Sequence, residues 1–189
     1  MGVTVIADVL ADAGSRMDRA VEGAKDDFAT VRTGRANPQL FQKILVDYYG
    51  TPTPLQQLAS FNVTEARTVL ISPFDKTAMT AIERALRDSD LGVNPANDGN
   101  VIRVVLPALT EERRRDYVKL AKTKAEDARV SIRAVRRKAK DLIDRAVKDG
   151  DAGEDEGTRA EKELDAVTKR HTDAVDQLLA AKEAELLEI

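Results

Sequence analysis

Between Arg115 and Lys140 eight side chains recur at steps of four and three: Arg115, Lys119, Lys122, Glu126, Arg129, Arg133, Arg136 and Lys140. Seven of the eight are cationic, so on a helix they form one basic stripe, roughly 37 Å long. A row of cations on a rigid rod can track nucleic-acid phosphates and gain affinity by releasing counterions. Arginine suits this because its planar fork grips phosphate bidentately and stacks on bases. RNA duplexes are read mainly through shape and backbone, so the scarcity of aromatics (4%) is no obstacle.

A bland reading stands beside this one. Positions flanking an apolar seam often pair with acids on a neighbouring helix. The last helix offers Glu161 and Asp165 near its start, so Lys140 and Arg136 are candidates for internal neutralisation. Further along, its flank reads Thr168, Thr172, Val175, Leu179 and Lys182, which leaves Arg115 to Arg129 without acidic partners. The first helix supplies few acids beside its own stripe.

Other chemistry finds little support. The single histidine, His171, falls on an apolar seam and reads as a core or seam-edge residue. There is no cysteine, hence no disulfide and no thiolate zinc site. No Ser–His pairing and no phosphate-cradling glycine loop is evident. Glu154-Asp155-Glu156 lacks the alternating spacing of a calcium loop and reads as solvated. No catalytic residue, metal or cofactor is expected, and the chain reads as a non-enzyme.

The elements that would position the stripe follow from periodicity. Ile6, Leu10, Ala13, Met17, Ala20, Ala24, Phe28 and Val31 mark a first amphipathic helix. Val118, Ala121, Ala125, Ala128, Ile132, Val135, Ala139, Leu142 and Ala146 mark a second, capped by Thr110 with Glu111 and Glu112 behind it. At about 58 Å it is too long for a small globular core to cover. Asp149–Thr158 reads as a loop. A third helix over 159–187 buries Leu164, Val167, His171, Ala174, Leu178 and Ala181, and the short connection makes it antiparallel to the second. Charge is segregated along this path. Residues 111–148 hold 14 basic and 7 acidic side chains, whereas 149–189 hold 5 and 13, so the global net of −3 hides the basic helix.

Between the first two helices the pattern changes at Arg32-Thr33-Gly34-Arg35-Ala36-Asn37-Pro38. Ile44, Val46 and Tyr48 alternate as a strand, and Gly50, Pro52 and Pro54 mark a turn. Thr68–Ile71 and Val101–Leu106 are β-prone, and Ala78–Asp90 is a short helix facing inward at Ile82, Ala85 and Leu86. The fold class is therefore α+β with two domains. A long three-helix bundle (1–31 and 106–189) carries an inserted small β/α/β domain (32–105). Hinges are expected near 32–38 and 105–107, at Arg32, Thr33, Gly34, Arg35 and Pro107.

Met1–Leu10 has no basic region and Asp8 interrupts its apolar run, so neither a signal nor a transit peptide is expected. No apolar stretch reaches membrane-spanning length. A cytoplasmic protein that does not enter membranes is the expectation.

Arg32-Thr33-Gly34-Arg35-Ala36, Tyr48-Tyr49-Gly50-Thr51-Pro52-Thr53-Pro54-Leu55, Pro73-Phe74-Asp75, Leu91-Gly92-Val93-Asn94-Pro95, Leu109-Thr110-Glu111-Glu112-Arg113-Arg114, Ile132-Arg133-Ala134-Val135-Arg136-Arg137 and Lys182-Glu183-Ala184-Glu185 run in order along the chain. Together they resemble the bacterial ribosome recycling factors over essentially its whole length. One departure is Ala134, where that family often has asparagine.

The resemblance implies an L-shaped pair of domains joined by a flexible hinge. It implies a translation factor that binds the post-termination ribosome on large-subunit rRNA. With elongation factor G and GTP, such a factor splits the subunits and frees mRNA and tRNA. It further implies that Arg133 and Arg136 match arginines tied to ribosome binding, and that Arg32, Gly34 and Arg35 match the hinge. Arg137 joins the candidate contacts through the same motif, and a monomer is expected. Two rivals stay open: a structural adaptor for protein helices, which would keep its affinity at high salt, and an enzyme using carboxylates of the inserted domain, which would need a confined pocket with a perturbed Asp or Glu.

Overall fold

The computed structural model describes residues 2–188. Helix α1 (Gly2–Ala29) buries Ile6, Ala13, Met17, Ala24 and Phe28 of the face its sequence marks as apolar; Leu10 and Ala20 are half-buried, and Val21, outside that spacing, is buried as well. Helix α4 (Glu111–Lys148) begins where expected: Thr110 Oγ1 accepts the Arg113 amide at 3.2 Å, and Glu111 and Glu112 occupy the first turn. It ends on Gly150, whose φ of 78° is the left-handed conformation that glycine adopts without penalty. There the Gly150 amide donates to Val147 O (3.1 Å) and the Asp151 amide to Ala146 O (2.9 Å), a Schellman motif.

Helix α5 (Glu154–Leu187) starts five residues before the expected start at 159. Glu154, Asp155 and Glu156 are its first turn, where the helix dipole favours negative charge. The acid run is thus a helix start rather than a solvated loop. Gly157 allows close approach at this corner, since a Cβ there would lie 2.6 Å from Val147 Cγ2.

The three long helices share one core, built on Met17, Ala121, Ala125, Ile132, Ile143, Leu164 and Val175 among others. Two seam expectations fail. Leu142 is exposed while Ile143 is buried, and Ala181 is exposed while Val175, expected on the flank, is fully buried. The reason is the period. A strict 3,4 alternation repeats every 3.5 residues, whereas a straight α-helix turns every 3.6, so the buried face drifts by about 20° per heptad.

Residues up to Val31 and from Arg115 onward form one compact unit, and Arg32–Arg114 form another. In the second, α2 (Gln39–Gln42) precedes a hairpin of β1 (Leu45–Tyr48) and β2 (Thr51–Pro54). Strands β3 (Ala59–Glu65), β4 (Thr68–Pro73), β5 (Ala96–Asn97) and β6 (Ile102–Val105) make an antiparallel sheet in the order β3-β4-β6-β5, with α3 (Met79–Asp88) between β4 and β5 in the chain. Val46, Leu55, Val69, Ile71, Ile82, Leu86, Ile102 and Val104 are its core.

The segment expected as a turn from Gly50 to Pro54 is in fact strand β2. Only Tyr49-Gly50 turns, both with positive φ (50° and 79°). Pro52 and Pro54 are tolerated because they face Asp47 and Leu45, the alternate positions of a two-stranded ribbon where no amide is needed for the ladder. Strands β3 and β5 and the single turn α2 were not foreseen. The whole is a mixed α+β fold, long helices at either end of the chain and a small β unit between.

Candidate nucleic-acid interface

The basic stripe lies on α4, and the structure divides it into two rows. The row nearer the bundle is tied to α5. Arg129 Nε donates to Asp176 Oδ1 at 2.8 Å, and Nη2 meets the same oxygen. Arg136 grips Asp165 Oδ1 through Nε (2.8 Å) and Nη2 (2.6 Å). Lys140 lies 3.3 Å from Glu161 and 3.2 Å from Asp144, and Lys122 lies 3.7 Å from Glu183. These contacts hold Lys140 and Arg129 above their ordinary pKa values, through Asp144 first for the lysine and Asp176 first for the arginine.

Lys140 and Arg136 are thus neutralised internally, as the sequence allows. The expectation that α5 cannot reach Arg115 to Arg129 is wrong, because Asp176 and Glu183 do reach Arg129 and Lys122. The same drift explains it: by mid-helix the flank has moved from Val175 and Lys182 to Asp176 and Glu183. The first helix also contributes one acid, Asp27, 3.9 Å from Lys124.

The outer row is different. Lys119 and Arg137 are 18 residues apart, five full helical turns, and so share one exposed face. Among the described residues their side chains enter no ion pair, and neither does that of Lys138. Arg133 is half exposed (53%) and donates one Nη2 bond to Glu126 Oε1 at 2.8 Å. Arg115 is exposed one turn before Lys119. Arg113, Lys138, Arg145 and Lys148 add exposed cations that the stripe omitted because they lie off its spacing. Val130, half exposed, lies on the same outward side.

The remaining candidates fall in quieter places. His171 bridges helices: Nδ1 lies 2.7 Å from Val167 O and Nε2 2.7 Å from Asp18 Oδ1 on α1. That is a seam-edge role. Arg32 donates to Asp90 O (3.1 Å) and pairs with its carboxylate (3.3 Å). Thr33 is buried and its hydroxyl accepts the Arg35 amide at 3.4 Å, while Gly34 has φ 79°. Pro107 is exposed next to Leu106, which is buried in the small unit's core with its amide on Arg67 O.

The perturbed carboxylates have plain causes. Thr77 (hydroxyl, then amide) and Tyr48 hydrogen bonds hold Asp75 below the usual range, and loop amides of Val101 and Asn100 do the same for Asp98. Asp98 is exposed and Asp75 half-buried; both stay ionised and fix local turns, unlike the raised, enclosed acid that carboxylate catalysis requires. Among the described residues no cluster of three or more His, Cys, Asp or Glu is placed to hold a metal, and no helix is long and apolar enough to cross a membrane.

The ribosome recycling factor family model matches residues 24–187. Ribosome-recycling factors of Paenarthrobacter aurescens and Kineococcus radiotolerans are 67% and 68% identical over 185 residues, covering 98% of this chain and all of theirs. A solution structure of the ribosome recycling factor superposes with a TM-score of 0.77 at 41% identity, over 97% of this chain and 98% of that one. A second solved chain comes from models for the T. thermophilus ribosome recycling factor and the E. coli elongation factor G bound to the E. coli post-termination complex. It gives a TM-score of 0.69 at 40% identity, over 97% of this chain and 99% of that one. With its helices, its small β unit and nearly all of its length matched in this way, the chain belongs to the ribosome recycling factor family.

Proposed function

We propose that this protein binds post-termination ribosomes and, with elongation factor G and GTP, splits them into subunits and releases mRNA and tRNA. It makes no covalent change and needs no cofactor of its own. It works in the cytoplasm as a monomer. The observation that carries the ribosome-binding part is the outward face of α4, where Lys119, Arg133 and Arg137 offer cations to large-subunit rRNA. Arg115 lies along the same edge. Lys122, Arg129, Arg136 and Lys140 back this face and remain partly exposed for phosphate contact. The similar T. thermophilus factor, placed with elongation factor G on the post-termination complex, supports the partner assignment.

The segments at Arg32, Thr33, Gly34, Arg35 and Pro107 serve as hinges in this reading, letting the small unit swing when elongation factor G pushes. Light scattering of post-termination ribosomes tests the whole. A fall in scattering that requires the protein, elongation factor G and GTP together is expected. Flat scattering with a matched elongation factor G, while ribosomes are still bound, would reject the recycling assignment.

A further inference from the structure

We propose that Glu126 is an internal stand-in for phosphate on α4, competing with RNA for Arg133 and so limiting how strongly this face takes up a polyanion. The inference rests on the reading of that face as an RNA contact. Glu126 is the one acid in the stripe, and both its oxygens are engaged: Oε1 accepts from Arg133 Nη2 at 2.8 Å and Oε2 from Arg129 Nη1 at 3.3 Å. Guanidinium binds carboxylate and phosphate oxygens through the same fork geometry, so an arriving phosphate seeks the place Glu126 holds.

The two arginines would respond differently. Arg129 has a second anchor in Asp176 and stays bound to it. Arg133 has no other ion pair among the described residues, so it alone is handed over. Both ends of the Arg133–Glu126 pair are half exposed, at 53% and 52%, which leaves the exchange open to solvent. Arg133 and then Arg129 hold the Glu126 carboxyl below the usual carboxylate range, so it meets the incoming phosphate as an anion. Asp127, the adjacent residue, is exposed on another side of the helix and pairs with no cation among the described residues.

The test uses the full chain and a generic RNA duplex of about 16 base pairs, titrated over a range of salt. E126Q is expected to bind about fivefold more tightly at low salt. Its affinity should also fall more steeply with salt, by roughly one phosphate contact (~0.9 in the log–log slope). D127N removes the same charge one residue away and should show neither effect in full. R133A and E126Q/R133A should bind alike, because the gain needs Arg133. Equal gains from E126Q and D127N would reduce the effect to net charge and overturn the proposal. Weaker binding by E126Q would overturn it too, by making Glu126 a support for Arg133. Undiminished binding by K119E/R137E would overturn the RNA reading itself. A loss there with E126Q unchanged would overturn only the role of Glu126.

Discussion

Arg133 differs from Arg129 in what remains after its internal bonds are made. Arg129 uses all three guanidinium nitrogens on Asp176 and Glu126 and is only 23% exposed, whereas Arg133 uses one nitrogen and is 53% exposed. Their substitutions should therefore separate. R129A is expected to lower stability by about 0.5–1 kcal/mol, the scale of a partly exposed ion pair, in urea unfolding. K119E/R137E should leave unfolding unchanged and weaken ribosome binding, with a shallower salt dependence. If that pair lost helicity by circular dichroism instead, these residues would belong to folding.

Asp75 gives a residue-scale prediction of another kind. Its folded pKa is lowered, first by Thr77, so its contribution is present above the ordinary aspartate range and disappears as pH falls through the lower folded value. D75N should therefore destabilise the small unit at neutral pH and flatten the acid limb of its stability curve below about pH 4. Parallel limbs for both proteins would remove Asp75 from the account.

At the scale of elements, the long helices were legible because a buried stripe leaves a periodic trace, and the start of α4 because Thr110 is chemically specific, whereas the Gly150 end and the acids after Gly153 read as a plain loop. What the sequence concealed was phase. Choosing between Leu142 and Ile143, or between Val175 and Asp176, needs the accumulated turn of a real helix, and this error hid the acids that pair with Arg129 and Lys122. Strand β2 was hidden because prolines advertise turns, and only the register shows them at positions that donate nothing.

The α4–α5 corner permits a direct test of packing. Gly157→Ala places a methyl 2.6 Å from Val147 Cγ2, and a β-branched neighbour on a helix cannot turn aside easily. G157A should cost about 1–3 kcal/mol in spite of alanine's better helix propensity, and V147A/G157A should recover part of it. A stabilised G157A would mean that the corner relaxes freely.

For the whole molecule, the organising fact is that the chain builds two cores with no residue in common, one from α1, α4 and α5 and one beneath the sheet and α3. The switch in periodicity after Val31 falls at the first boundary between the units, whereas the second lies between Arg114 and Arg115, past the switch near Pro107. The charge contrast between 111–148 and 149–189 marked the basic helix, and the ion pairs to α5 show where part of that charge goes. A unit with its own core can in principle lose it alone. Ile82 and Leu164 are each fully buried, one in each core. Truncating either to alanine removes about 2–5 kcal/mol from the core that holds it. I82A is therefore expected to speed hydrogen exchange of amides in β4, β6 and α3 while α5 keeps its protection, and L164A to do the reverse. Equal loss of protection in both units from either substitution would mean that the molecule unfolds as one cooperative body, and a hinge between independently stable units would then have no physical basis.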